Sequence, residues 1–173
     1  MKPILFVLLL FFTALPARAG EAPALEPVKV GKAPPPFALK NEKGEVVTWD
    51  SLRGKPTVIY FTHNACWYCT QLIRFLKRMD KKYGPRGLQI IGINVMAKDQ
   101  RLVIAYKEDL GFIFPMLAGN QEGVLRAYKI NYVPVLVFVD ARGVVRRIVG
   151  HYILEKDLDA AIREILGERG KDQ

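Results

Sequence analysis

From residue 37 onward, short apolar runs alternate with longer segments whose apolar positions recur every three or four residues. Thr57-Val58-Ile59-Tyr60-Phe61 and Leu88 to Val95 are nearly unbroken apolar runs of strand length, the pattern of strands covered on both faces. Between them Leu72, Ile73, Phe75, Leu76 and Met79 fall at helical spacing with Arg74, Lys77 and Arg78 opposite, which predicts an amphipathic helix over Thr70 to Met79. Lys82-Tyr83-Gly84-Pro85 ends it. Lys98 to Leu110 reads as a second helix, stopped near Gly111. Strand, helix, strand, helix in this order predicts a parallel βαβ unit with a right-handed crossover. Phe112 to Met116 adds a short extended piece, and Gln121 to Tyr128 a short helix.

The flanks carry different signals. Phe37-Ala38-Leu39 and Val46-Val47-Thr48 surround Asn41-Glu42-Lys43-Gly44-Glu45 and predict a small N-terminal hairpin. Asp50 and Ser51 start a brief turn that Arg53-Gly54-Lys55-Pro56 breaks. Val135 to Val139, the turn Asp140-Ala141-Arg142-Gly143, and Val144 to Val149 predict a second hairpin. Leu158, Ala161, Ile162, Ile165 and Leu166 then share one face of a terminal helix over Leu154 to Leu166. The expected architecture is α/β, a mixed central sheet between helical layers, with no internal repeat.

The first 36 residues look unlike the rest. Ile4 to Leu15 is apolar and Ala17-Arg18-Ala19 matches the small-x-small pattern of a signal cleavage site, so residues 1–19 are expected to be a signal peptide and Gly20 the first mature residue. If uncleaved, the same segment would anchor the chain in a membrane. Residues 20–36, rich in Ala and Pro and without periodicity, read as an extended or disordered linker. A single domain over 37–168 and a tail over 169–173 complete the expected organisation. Net charge is +9 from 26 Lys and Arg against 17 Asp and Glu, yet the basic residues are scattered rather than interleaved with aromatics. Nucleic acid is therefore not an expected partner. Export, to a bacterial periplasm, implies an oxidising compartment where cysteines pair.

Only two cysteines occur, in Cys66-Trp67-Tyr68-Cys69, at the junction between the first apolar strand and the helix after it. A helix N-terminus carries unpaired N–H groups and partial positive charge that favour a thiolate, and Cys66 sits where that effect is largest. Cys69 lies one turn further in, within bonding reach of Cys66. A structural staple is the competing reading. A loop this short removes little unfolded-state entropy when closed, and a domain of this size does not need it. A redox-active Cys66–Cys69 disulfide, with no other cofactor and no metal, is the favoured reading.

With this dithiol, the proline of Val133-Pro134 ahead of the last hairpin, Ala33-Pro34-Pro35-Pro36-Phe37-Ala38-Leu39 and Leu52-Arg53-Gly54-Lys55-Pro56, the chain resembles the thioredoxin superfamily. Within it the resemblance is to TlpA/ResA-type exported thiol-disulfide oxidoreductases, including the extra βαβ segment over Lys98 to Met116. The resemblance implies a thioredoxin-like fold and a cis Pro134 facing the dithiol, with Val133 offering backbone groups to a bound partner. It also implies client proteins with cysteine pairs, a membrane thiol electron donor, and a reductase role in cytochrome c maturation or for another client. Trp67 and Tyr68, aromatics at a helix start, are candidate partner contacts.

Several positions depart from that family. Ala65 stands where a tryptophan is common, Leu72 where this branch often has an acid, Arg74 where a proline often bends the helix, and Tyr60 where cytoplasmic thioredoxins keep a buried acid. His63, three residues before Cys66, is a candidate modulator of the thiol pKa, set against the plainer reading of a loop histidine without a role. His151 carries no motif. An alternative function, copper or zinc binding and delivery, would use His63, Cys66 and Cys69 as ligands. A peroxidase reading is weaker, because His63 stands where the peroxiredoxin pattern requires threonine or serine.

Overall fold

The apolar run after Pro56 becomes the central strand of a five-stranded sheet in the computed structural model, which describes residues 26–168. The expected signal segment and the tail over 169–173 lie outside the described residues. A two-stranded hairpin, β1 (Ala38–Lys40) and β2 (Val46–Thr48), precedes the sheet, followed by one 3₁₀ turn over Asp50–Leu52. Next come β3 (Thr57–Thr62), α1 (Trp67–Tyr83), β4 (Gln89–Asn94), α2 (Gln100–Leu110) and β5 (Met116–Ala118). After these come α3 (Glu122–Ala127), β6 (Val135–Val139), β7 (Val145–Val149) and α4 (Glu155–Ile165). The sheet order is β5-β4-β3-β6-β7, with β4 parallel to both β3 and β5, while β6 runs antiparallel to β3 and β7.

All six residues of β3 are buried, which is why its sequence does not alternate. Its two faces enter different cores. Val58 and Tyr60 meet Leu72, Leu76, Leu158 and Ile162 on the side covered by α1 and α4. Ile59 and Phe61 pack with Phe37, Leu39, Trp49 and Tyr128 on the other. The hairpin and α3 thus cover the face opposite α1, and burying each large apolar side chain contributes about 2 kcal/mol. α1 keeps Leu72, Ile73, Leu76 and Met79 inward and Arg74 and Arg78 outward, as its periodicity predicts.

Two expectations need correction. Residues 26–36 are not a free linker: Val28 N–H donates to the Ala127 carbonyl at 2.8 Å, and Tyr128 OH donates to the Pro35 carbonyl at 2.7 Å. Gly31 N–H donates to the Val145 carbonyl at 2.8 Å, and Val145 N–H to that of Lys32 at 2.9 Å. β7 is an edge strand whose outward backbone groups would otherwise be unpaired, so the segment covers an exposed edge. Val28, Pro34 and Pro35 are buried, and the domain begins well before residue 37. The short extended piece also lies later than expected, at Met116–Ala118. Pro115 has no N–H to give a ladder, and the chain pairs from its carbonyl onward, where Gly92 N–H donates at 2.8 Å.

Candidate active site

Strand β3 ends at Thr62, and after three intervening residues Cys66 caps α1. Its extended backbone (φ −100°, ψ 103°) turns the chain into the helix, and its Sγ accepts the Cys69 N–H at 3.1 Å. The sulfur thus occupies the place of a capping oxygen, facing the partial positive charge of the helix start. Cys66 and Cys69 are joined in a disulfide with Cα atoms 5.2 Å apart. Their exposures differ: Cys66 is half-buried, whereas Cys69 is fully buried among Leu72, Ile73 and Tyr60. Of the two sulfur-bearing residues, Cys66 is the one a large partner can reach.

Opposite Cys66 stands the segment entering β6. The Val133–Pro134 peptide bond is cis, Pro134 is buried, and the Val133 carbonyl oxygen lies 3.9 Å from Cys66 Sγ. Sequence positions 67 apart therefore meet across the site.

Aromatic rings surround this pair. Trp67 is 67% exposed and Tyr68 56%, and their rings meet edge to face at 5.1 Å. Tyr68 in turn rests 5.7 Å from Tyr152, which lies 6.1 Å from Phe75. Tyr132, next to Val133 in the chain, is 60% exposed. Such exposure of large rings is unusual without a partner. Tyr132 and Tyr152 carried no motif and were not among the sequence candidates, although adjacency to Val133 could have marked Tyr132.

His63 lies half-buried in the loop between β3 and α1, and its Nδ1 accepts the Ala65 N–H at 3.1 Å. That bond ties the ring nitrogen to the loop backbone rather than to sulfur. Among the described residues no group of three or more His, Cys, Asp and Glu is arranged to hold a metal ion, so His63, Cys66 and Cys69 are not brought together as a ligand set. His151 is exposed.

Beneath the dithiol the groups are neutral. Tyr60 OH donates to the Cys69 carbonyl at 2.9 Å, and burial pushes this phenol well above its ordinary value. Thr62 and Tyr106 share a hydroxyl hydrogen bond of 2.7 Å, and burial raises Tyr106 as well. Thr70 Oγ1 donates to the Cys66 carbonyl at 3.3 Å. Tyr60 was noted in the sequence only as a substitution for an acid; its position identifies it as a clamp on the first turn of α1.

Chemically, the arrangement offers one accessible sulfur at a helix start, a second sulfur directly behind it, and a backbone carbonyl beside it to align an extended partner. Those are the parts needed for two successive thiol-disulfide exchanges. Comparison with known proteins agrees. The model of the AhpC/TSA family matches residues 30–148. Thiol-disulfide oxidoreductase ResA of Geobacillus kaustophilus is 26% identical over 138 residues, covering 80% of this chain and 79% of that protein. Peroxiredoxin Q of Sedum lineare is 30% identical over 95 residues, 54% of this chain and 51% of the relative. Among solved structures, a thiol:disulfide interchange protein DsbE from Chlorobium tepidum superposes with a TM-score of 0.73 at 21% identity, covering 81% of this chain and 99% of that one.

Proposed function

The chain belongs to the AhpC/TSA family, and on that footing we propose that it is a thiol-disulfide oxidoreductase that reduces disulfides in client proteins through Cys66 and Cys69. One observation carries the assignment of roles: half-buried Cys66 caps α1 beside the Val133 carbonyl, while Cys69 is wholly enclosed behind it.

In the reducing direction the Cys66 thiolate attacks one sulfur of a client disulfide. The client S–S bond breaks, its other sulfur leaves as a thiolate and takes up a proton, and client and Cys66 are joined. Cys69, deprotonated, then attacks Cys66 Sγ and releases the second client sulfur, leaving the Cys66–Cys69 disulfide. Two electrons have passed to the client. Val133 and cis Pro134 form the wall along which the extended client lies, and Trp67 and Tyr68 supply apolar contact. Direction is set by the reduction potential relative to the client, each 30 mV corresponding to about 1.4 kcal/mol.

The setting we propose is the bacterial periplasm after export, with a membrane thiol donor returning the pair to the dithiol state. Cytochrome c maturation is one client system consistent with the likeness to ResA. No helix among the described residues is long and apolar enough to cross a membrane.

The test is a pair of variants. Cys66→Ser abolishes disulfide reduction, whereas Cys69→Ser still forms the first mixed disulfide and accumulates it on clients in the native host. Undiminished turnover by Cys66→Ser, or equal trapping by both variants, refutes the assigned order of attack.

A further inference from the structure

Helix α1 continues away from the dithiol as a basic stripe. At 100° per residue, Trp67, Arg74, Arg78 and Lys81 fall within about 60° of one another around the helix axis. Arg74 and Lys77 join Arg78, Lys81 and Ile113 in lining a groove of about 470 Å³. Ile113 is 71% exposed at its wall. Arg78 is held by Glu155 of α4 in a two-pronged bond of 2.5 and 2.7 Å, and Lys77 Nζ donates to the Leu110 carbonyl at 3.3 Å. Among the described residues, Arg74, Lys77 and Lys81 have no carboxylate within ion-pairing distance, the Arg78 pair being the one ion pair on the groove.

We propose that this stripe is the docking track for an acidic segment of the client polypeptide, so that clients with carboxylates near the attacked cysteine are favoured. The proposal rests on the oxidoreductase reading and names its substrate class. Three observations choose a polypeptide over a membrane surface. The groove lies on the same helix that Cys66 caps, and its residue nearest the sulfur, Arg74, is about 10 Å along that helix from Trp67, a distance an extended client spans in about three residues. The groove is concave, with an apolar side chain on one wall, and fits side chains better than a plane of headgroups. A carboxylate already sits against this face, on Arg78.

Spacing makes the proposal specific. Arg74 lies about 10 Å along the helix from Trp67 and Lys81 about 21 Å. At about 3.3 Å per extended residue these correspond to positions roughly three and six removed from the client cysteine.

The experiment uses reduced full-length protein and synthetic peptides carrying one cysteine as a mixed disulfide. Their flanks bear Glu, Gln or Lys three and six positions away on both sides. The second-order rate of peptide thiol release is measured against 2,2′-dipyridyl disulfide, which is uncharged and too small to reach the stripe. The Glu peptide is expected to react roughly two- to tenfold faster than the Gln peptide at low salt, with the advantage shrinking toward unity in about 0.5 M salt. Arg74→Glu with Lys81→Glu reverses the order, so that the Lys peptide becomes fastest, while the dipyridyl rate is unchanged. Both replaced side chains are exposed, and Arg78, which bridges α1 to α4, is left in place. Glu, Gln and Lys peptides reacting within twofold of each other, with normal dipyridyl turnover, would overturn the docking track alone. Stripe-dependent binding to vesicles containing phosphatidylglycerol, without a peptide preference, overturns the polypeptide in favour of a lipid surface. Loss of dipyridyl turnover in wild-type protein overturns the oxidoreductase reading itself.

Discussion

Tyr60→Phe isolates one hydroxyl under the dithiol. Tyr60 is fully buried at the middle of β3, opposite Gly92 of β4 and Leu136 of β6, and its OH donates to the Cys69 carbonyl at 2.9 Å. Phenylalanine keeps the ring and its packing, so the change removes a hydrogen bond and almost no volume. A buried neutral bond contributes about 0.5–1.5 kcal/mol net, and leaving an acceptor unsatisfied would add more. Here the same carbonyl also faces the N–H four residues on in α1, so the acceptor is not orphaned and the cost stays near about 1 kcal/mol. For a domain of this size that is a fall of about 2–4 °C in Tm. Because the bond goes to backbone and not to sulfur, it is made in the disulfide and the dithiol alike. The variant should therefore lose equal stability in both forms and keep its reduction potential within about 10 mV, since 30 mV would already mean about 1.4 kcal/mol of difference. Urea unfolding of oxidised and reduced protein, with potentials from glutathione titration, measures both quantities. No loss in either form, or a shift of potential matching a loss in only one, would refute the clamp as described.

Two further outcomes follow from contacts away from the sulfurs. Asp159 of α4 accepts from Lys82 Nζ at 2.6 Å and from Tyr83 OH at 2.8 Å; burial pushes its pKa up, but these bonds and the charges of Lys82 and Arg163 outweigh that and hold it below 3.8. A depressed carboxylate stabilises the fold fully above its unfolded value and loses that contribution as pH falls through the lower folded value, so Asp159→Asn should cost stability at pH 7 and progressively less as the pH is lowered through the acid range. The difference is expected to stay near or under about 1 kcal/mol, because Lys82 is exposed, and paired unfolding curves across the acid range measure it. Val28→Asp places a carboxylate at a 5% exposed position against Phe37 and Tyr128, and should cost about 2–4 kcal/mol and open residues 26–33 to limited proteolysis. Equal cleavage of variant and wild type would refute the docking of that segment.

What could be read from residues alone follows from where the physics is local. The order of strands and helices was legible because β3 and β4 are buried on both faces and α1 and α4 on one, and each condition leaves its own period in the sequence. The docking of residues 26–36 was not, since it rests mostly on backbone hydrogen bonds to β7 and α3, which any residue can make, and on a few buried side chains, Val28, Pro34 and Pro35, that leave no period in the sequence. At the site, the placement of Cys66 at the cap followed from the strand-to-helix junction. The aromatic rim did not, because Tyr152 and Phe75 come together only when α1 and the segment before α4 are packed side by side. His63 shows the limit of spacing as a guide: three residues from Cys66, its Nδ1 is nonetheless used by the Ala65 backbone.

The departures from the thioredoxin pattern acquire a common physical consequence once the surroundings are known. Leu72 is fully buried in the core under α1, and a carboxylate there would be desolvated with no cation inside that core to meet it. Tyr60 likewise presents a phenol that burial keeps neutral, and the next hydroxyls inward, Thr62 and Tyr106, bond each other. The interior side of the dithiol is therefore polar enough to hold the first turn of α1, and the groups described there, Tyr60, Thr62, Thr70 and Tyr106, are hydroxyls rather than charges. Arg74 works in the opposite direction: with no proline in α1 the helix runs unbroken from Trp67 to Tyr83, and its cations begin two turns from the sulfur. Charge near the site is thus concentrated outside the protein, where partners approach, and not behind Cys69. In such a site the buried core sets geometry, while selectivity among charged clients comes from the exposed face of the same helix.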